Sequence, residues 1–385
     1  STRFFMVQRS NNTRKTILIT RFSAVGDIAM TIPLLYSLGE SYPEHRFIFV
    51  SRERFGQFFI NKPKNLDFIG INLANYKGVH GLYRLYRELS AEKPDFFADL
   101  HDVLRTKILR TYFRLFGKVK VASINKGRKE KKQLTKENNA NKAELKSTFE
   151  RYRDVFTRLG LPFTPKFSSL FKESKGNIDD FKAIIPAKEH NRWVGIAPFA
   201  RHKGKIYPLE KMEKVVALLS QEDNIKLFFF GNGPEEEKTI NSWCAKYPNT
   251  ISFIGKSNFN GELRLISHLD AMVCMDSANM HMASLAGTPA ISIWGATSPL
   301  AGFLGWKQRK EDCIELQLEC RPCSIFGNKP CKFGDYRCME IEPSIVAKRI
   351  IHRIENHSNK NHNNADNHQQ GKRPDGKGDF RLLQH

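Results

Sequence analysis

The chain reads as an α/β protein built from two Rossmann-like domains that face each other across a cleft. Three observations point there. Short apolar runs alternate with helical patterns through both halves, as in parallel sheets covered by helices. A stretch broken by Pro162, Pro165 and Pro186 separates the halves. Residues 271–299, AMVCMDSANMHMASLAGTPAISIWGATSP, compress strand, helix, strand and loop into about thirty residues, the size of one parallel βαβ unit.

The elements follow in order. TILIT at 16–20 predicts a first strand, and 27–41 a helix with Ile28, Ile32, Leu35 and Leu38 at helical spacing. Residues 46–50 and 96–100 predict further strands, 103–116 a basic amphipathic helix, and 119–124 another short strand. In the second half, strands are expected at 194–198, 225–230, 251–254, 271–275 and 290–294, with helices at 209–219 and 235–247. Ile345, Val346, Ile350, Ile351 and Ile354 predict a last packed helix. The resulting layout is a tail at 1–15, a first domain at 16–170, a linker region at 171–192, a second domain at 193–340, a helix at 341–355 and a tail at 356–385. That last tail is polar and low in complexity, so disorder is expected.

Composition narrows the partners. The 385 residues carry 62 Lys and Arg against 40 Asp and Glu, a formal net charge of +22. Such an excess suits an acidic partner: nucleic acid, an anionic membrane face or a phosphorylated substrate. No run reaches the roughly 18 to 20 apolar residues of a membrane span, and 1–15 has no signal-peptide h-region. A cytoplasmic protein peripheral to a membrane is expected. Five of the seven cysteines crowd between Cys313 and Cys338, where a cytosol keeps them reduced or metal-bound.

In the 271–299 unit, Asp276-Ser277 end a strand and are expected to accept hydrogen bonds from the first N–H groups of the helix. A helix start at a strand's carboxyl end favours an anion, so the unit is a candidate pyrophosphate site.

Four segments together resemble the ADP-heptose:lipopolysaccharide heptosyltransferases, glycosyltransferase family 9. They are ILITRFSAVGDIAMTIPLLYSL at 17–38, VGIAPFARHKGKIYPLEKMEKVV at 194–216, the 271–299 unit, and CRPCSIFGNKPCKFGDYRCM at 320–339. The resemblance implies a GT-B architecture, the first domain binding acceptor and the second a nucleotide sugar. It implies inverting transfer, usually from ADP-heptose, with no required metal. The usual acceptor is inner-core lipopolysaccharide at the cytoplasmic face of the inner membrane of a Gram-negative cell.

The resemblance implies roles for single residues. Asp27, after Gly26 at the first strand-to-helix turn, matches the proposed general base. The residues alone favour a helix cap, and a helix start lowers its basicity; the resemblance turns the reading to the base. Lys205 matches the diphosphate-binding lysine, with Arg201 and Lys203 adding charge nearby. A solvated basic loop is the bland alternative. Asp276, Ser277, Ala278 and His281 match the donor element, Ala278 standing where the family usually has Gly. His281 also reads as a buried, satisfied histidine. Thr297 and Glu235 are further donor contacts, Glu235 for ribose hydroxyls or else as a first-turn carboxylate.

Between Lys118 and Arg153 stand twelve Lys and Arg against four Glu, and the centre at 126–132 reads as a mobile loop. Lys126, Arg128 and Lys129 there, with His101 and Arg105, are the acceptor-side candidates, a solvated charge run being the alternative. Cys320, Cys323, Cys331 and Cys338 supply the four thiols of a structural zinc. Only the first pair has the common short spacing, so reduced thiols or an oxidation-sensitive cluster are favoured over zinc, and the resemblance implies no required cofactor.

The expected activity is therefore glycosyl transfer to an anionic glycolipid at a membrane surface. A basic nucleic-acid binder is a rival, but no recognised nucleic-acid motif is present. A GT-B homologue that binds a sugar nucleotide without transferring it is another. A nucleotide-dependent oxidoreductase is disfavoured, because no G-x-G-x-x-G follows the first strand of either half.

Overall fold

The computed structural model describes residues 13–137 and 142–369, with side chains through 356. In the amino-terminal lobe β1 (Thr16–Thr20), β2 (Arg46–Arg52), β3 (Leu66–Ile71), β4 (Phe96–Asp99) and β5 (Lys120–Ser123) form one parallel sheet, ordered β3-β2-β1-β4-β5. Ile17 aligns with Phe47 on one side and with Phe96 on the other. The carboxy-terminal lobe repeats this order. Its strands are β6 (Arg192–Ala197), β7 (Ile225–Phe229), β8 (Thr250–Ser252), β9 (Ala271–Met275), β10 (Ala290–Trp294) and β11 (Cys313–Glu315). They run β8-β7-β6-β9-β10-β11, all parallel.

This order reverses beside the first strand of each lobe, between β1 and β4 and between β6 and β9. Crevices at such switch points, beyond the carboxyl ends of the strands, are where open α/β sheets bind ligands.

The helices are α1 (Val25–Ser41), α2 (Gly78–Ser90), α3 (Leu104–Leu115), α4 (Arg128–Leu134), α5 (Thr148–Leu159), α6 (Leu209–Leu219), α7 (Pro234–Lys246), α8 (Phe259–Ile266), α9 (Ala278–Leu285) and α10 (Pro343–Gln369). One sheet face of the amino-terminal lobe buries Leu18, Ile48 and Phe97 against Leu85 of α2 and Leu109 and Phe113 of α3. In the other lobe Val194, Ile196 and Val273 meet α6 and α10. The two remaining faces share one core. Ile17, Ile19, Phe47 and Phe49 reach through α1 to Met280 and Leu285 of α9 and Leu263 of α8. A second bridge joins a short helical turn, Glu53–Phe58, to α8: Phe58 stacks on Phe259 with ring centroids 4.7 Å apart. The backbone N–H of Phe259 donates to Gln57 at 3.0 Å.

The segment between the lobes is tied to both. The N–H groups of Lys166 and Phe167 donate to Ser37 Oγ of α1, at 2.9 and 3.1 Å, and that of Leu170 to the Leu285 carbonyl of α9, at 2.8 Å.

Two expectations need correction. The basic centre at 126–132 is ordered, not a mobile loop, because α4 starts at Arg128. Lys, Glu, Gln and Leu are good helix formers. Leu134 is buried, and Glu130 takes the guanidinium of Arg151 at 2.8 Å. The last helix also runs past the expected end, through the described part of the polar tail to Gln369. Val346, Ala347, Ile350 and Ile354 are buried, so the nucleus of this helix is packed and further turns need no new nucleation. The rest of the expected disordered tail, and all but three residues of the expected amino-terminal tail, lie outside the described residues.

Phe259→Ala should test the aromatic bridge. Removing a half-buried ring from this contact is expected to cost about 2 kcal/mol, read from urea unfolding. A loss below about 0.5 kcal/mol would show that the ring contact does not join the lobes.

Candidate active site at the meeting of two helix starts

Each lobe presents a helix start at its switch point, and the two starts touch. An added Cβ on Gly26, the second residue of α1, would lie 3.1 Å from His281 Cδ2 and 3.7 Å from Ala278 Cα in α9. Any side chain there would press on the His281 ring, which would have to give by a few tenths of an ångström.

Asp27 stands on this seam. Its Oδ2 accepts from the Ala24 N–H at 3.3 Å and pairs with Arg21 Nη2 at 2.8 Å, while 30% of the side chain stays exposed. The cap role and an open carboxylate therefore coexist, since Asp27 is the third helical residue and not the cap itself. Burial disfavours its charge, but the Arg21 guanidinium and the Ala24 N–H outweigh burial and hold the carboxyl below its usual range. Arg21, at the end of β1, is itself buried and anchored by its Nη1 donating to the Leu100 carbonyl at 2.6 Å. Tyr152 of α5 donates to the Asp27 carbonyl at 3.1 Å.

Across the seam, Lys205 follows β6 and Asp276 follows β9. Lys205 Nζ lies 3.0 Å from Asp276 Oδ2, both side chains being largely buried. The side-chain cap expected from Asp276-Ser277 is not formed: Asp276 turns to the lysine, and Ser277 makes no cap bond. Ser277 Oγ, His281 Nδ1 and Thr297 Oγ1 are buried with no hydrogen-bond partner. Two unpaired polar atoms at the α9 start and a third on the β10 loop suit an anion with further acceptor or donor groups. Buried His281 has its pKa brought down to about 4, against the pull of Asp276 and Asp27, so its imidazole is neutral at physiological pH.

Lys205 is held from the other side by the cysteine-rich stretch. A Cβ on Gly327, whose φ is +72°, would meet Lys205 Cγ at 2.6 Å. Arg321 fastens this stretch beneath the β10 loop. Its guanidinium donates to the carbonyls of Gly295, Leu316 and Thr297 and pairs with Glu315 at 2.8 Å. The cysteines are free thiols, and no group of three or more His, Cys, Asp or Glu side chains among the described residues is arranged to hold a metal ion. Burial raises the Cys323 and Cys338 thiols, whereas backbone N–H groups hold Cys331 low against burial.

The remaining donor candidates sit further out. Arg201 is exposed, and so is Glu235, whose neighbour Glu236 accepts from the Asn232 N–H of the preceding turn at 2.6 Å.

On the acceptor side His101 faces the same switch point. Its Nδ1 accepts from the Phe22 N–H and its Nε2 faces Ser23 Oγ, both at 3.4 Å. Burial, with Arg21 and Lys126 adding, lowers its pKa to about 3. Lys126 donates to the Asp102 carbonyl at 3.3 Å, and Arg128 lies 3.9 Å from the Asp102 carboxylate. Lys129 is exposed. Arg105 stands apart, in a pocket of about 420 Å³ that it lines with Arg52, Arg54, Lys77 and one carboxylate, Glu53.

Sequence reasoning missed Lys131 of α4 as a site residue. Its ammonium covers the Phe303 ring at 4.6 Å. Burial, with Arg151 adding and Asp27 opposing, lowers its pKa to about 8. It also missed Arg21 and Tyr152. Only Arg21 had a visible signal, a cation closing the first strand six residues before the aspartate.

With this geometry in hand, comparison with known proteins is specific. Residues 82–336 match the model of glycosyltransferase family 9 (heptosyltransferase). The lipopolysaccharide core heptosyltransferase OpsX of Haemophilus influenzae is 23% identical over 293 residues, covering 74% of this chain and 80% of that protein. Two solved structures share the fold. A glycosyl transferase family 9 protein from Veillonella parvula has a TM-score of 0.68 at 18% identity, covering 89% of this chain and 98% of that one. The ADP-heptose lipopolysaccharide heptosyltransferase II of E. coli has 0.66 at 17%, covering 89% and 99%.

The two buried neutral imidazoles, His101 and His281, set a pH dependence of stability. Their folded pKa values lie below the unfolded value near 6.5, so the unfolded chain binds more protons once pH falls below about 6.5. Stability should therefore fall from pH 7.5 to 5.5 by about 1 kcal/mol per histidine, partly offset by Glu262, whose burial raises its carboxyl pKa to about 7 so that the folded chain gains a proton over the same range. Urea unfolding at both pH values checks this. His101→Gln with His281→Gln should remove the histidine contribution and leave the opposing one of Glu262, and an unchanged dependence in the double variant contradicts the assignment.

Proposed function

The chain belongs to glycosyltransferase family 9, the heptosyltransferases, and from that premise we propose that it moves heptose from ADP-heptose onto a lipopolysaccharide inner-core acceptor with inversion at the anomeric carbon. The observation that carries this reading is the seam itself: an ionised carboxylate from one lobe opposite a lysine and an uncapped helix start from the other.

In the proposed step the acceptor hydroxyl lies against Asp27, which is already ionised because Arg21 and the Ala24 N–H hold it so. The acceptor oxygen attacks the anomeric carbon as its proton passes to the Asp27 carboxylate. The bond from that carbon to the diphosphate oxygen breaks, and its electron pair leaves with ADP. A lowered pKa makes Asp27 a weak base, so the step depends on the leaving group. Lys205 and the free N–H groups opening α9 meet the charge that grows on the diphosphate, and they act more strongly on the transition state than on the bound donor. Ser277, Thr297 and neutral His281 bond phosphate or sugar oxygens through the atoms now unpaired. The proposal gives Arg201 and Glu235 outer donor contacts and assigns no cofactor, leaving the four clustered cysteines as reduced thiols.

His101, Lys126, Arg128 and Lys129 form the acceptor side, with Lys131 facing Asp27. The pocket of Arg52, Arg54, Lys77 and Arg105 takes the acceptor's carboxylates or phosphates. Neither a basic nucleic-acid binder nor a transfer-incompetent homologue explains an open carboxylate beside the uncapped helix. No helix among the described residues is long and apolar enough to cross a membrane, and the proposal places the protein in the cytoplasm, peripheral to the inner membrane.

Asp27→Asn separates transfer from binding. Its kcat is expected to drop about a thousandfold while ADP-heptose affinity by calorimetry stays within about threefold. Lys205→Met should lower kcat and weaken ADP as well. Turnover surviving in Asp27→Asn would remove the carboxylate from the chemistry. A thermal-shift panel in which UDP or GDP sugars stabilise the protein and ADP sugars do not would remove ADP-heptose.

A further inference from the structure

Ten large apolar side chains are exposed among the described residues. Five of them, Val79, Tyr83, Leu104, Leu115 and Phe116, stand on α2, α3 and the cap of α3. They form one ridge. Leu104, Ile108, Tyr112 and Leu115 follow helical spacing along one side of α3, away from its buried Thr106, Leu109 and Phe113. Tyr83 of α2 meets Tyr112 edge-on at 5.5 Å, and Tyr112 stacks on Phe116 at 5.9 Å. The Tyr112 hydroxyl donates to the Val79 carbonyl at 3.3 Å, fixing the ring between the helices. Leu104 and Phe116, at the two ends, are 75% and 63% exposed. Contiguous exposure of this kind marks an interaction surface.

Charge identifies the partner. Within Leu104–Leu115 stand Arg105, Lys107, Arg110 and Arg114, with no carboxylate. Arg110 is occupied by Asp99 and Asp102, but Arg114 is exposed and Lys118 follows it, also exposed. Aromatic and aliphatic side chains flanked by cations suit the headgroup boundary of an anionic bilayer. Position agrees. Lys77, which precedes α2, and Arg105, in the first turn of α3, also line the pocket proposed for the acceptor's anionic groups. A bilayer against the ridge therefore meets the mouth of that pocket at headgroup depth, where a lipid-anchored acceptor presents its charged sugars.

We infer that the α2–α3 ridge is the docking surface for an anionic lipid bilayer, an inference that rests on the glycolipid acceptor proposed above. Flotation with vesicles of phosphatidylglycerol and phosphatidylethanolamine, against pure phosphatidylcholine, tests it on the full chain. The wild type should float with the anionic vesicles alone and release with salt. Leu104→Ser with Leu115→Ser and Phe116→Ser should weaken flotation about tenfold or more without lowering the melting temperature. Arg114→Gln with Lys118→Gln should weaken it and flatten its salt dependence. In the apolar variant, transfer to a vesicle-embedded acceptor should fall while ADP affinity and transfer to a deacylated soluble acceptor hold. Apolar variants that float like the wild type, equal flotation on phosphatidylcholine, or a ridge-dependent dimer in sedimentation in place of flotation would each overturn the inference. Ridge-dependent flotation by a protein that transfers no heptose would leave the docking surface standing and remove the transfer reading instead.

Discussion

Everything at the centre of this protein depends on the contact between the first turns of α1 and α9. Two helix starts brought together place like partial charges against each other, an arrangement that disfavours itself unless negative charge lies between them. Asp27 supplies one such charge from the amino-terminal lobe and Asp276 another from the carboxy-terminal lobe. Gly26 sets the distance, because any side chain there meets His281. The uncapped N–H groups of α9 and the unpaired atoms of Ser277, His281 and Thr297 leave polar groups here without partners, which suits the proposed diphosphate.

The repeated strand order explains why the chemistry falls there. In both lobes the first and fourth strands are neighbours whose following loops diverge, so each lobe opens a crevice at the same place. Arg21 and Asp27 follow β1, and His101 follows β4. Lys205 follows β6, and Asp276 follows β9. Sharing a core through α1, α8 and α9 turns the two crevices toward one another. The cations then divide by role. In the proposed reaction Arg21 keeps the base ionised, Lys205 meets the leaving group, and those of α4 and the β2–β3 edge face the acceptor side.

What the sequence shows is what local pattern encodes. Strand-to-helix turns carry Asp27, Lys205 and the 276–281 element, so the family resemblance in these short motifs points to them. The alternation left open between Val50 and Phe96 is completed by β3 and α2, and α2 was legible in the spacing of Leu82, Leu85 and Leu89. The charge run around α4 misleads because its density suggests solvation, whereas one buried leucine and the Glu130–Arg151 pair order it. Arg321 reaches the Thr297 carbonyl 24 positions away, Tyr152 the Asp27 carbonyl 125 away and Lys131 a ring on the other lobe, and no local pattern records that. The missing cap at Ser277 is equally invisible, since the same two residues that usually cap a helix leave its start open here.

The most direct test leaves every catalytic side chain in place and changes only the distance between the helix starts. Gly26→Val inserts a branched side chain against His281 and Ala278, while Asp27 and Lys205 remain. Single-turnover transfer from pre-bound donor is expected to slow at least about a hundredfold, because displacement by about an ångström removes the in-line geometry. Transfer at the wild-type rate in a folded Gly26→Val protein would contradict the claim that the joined helix starts form the site.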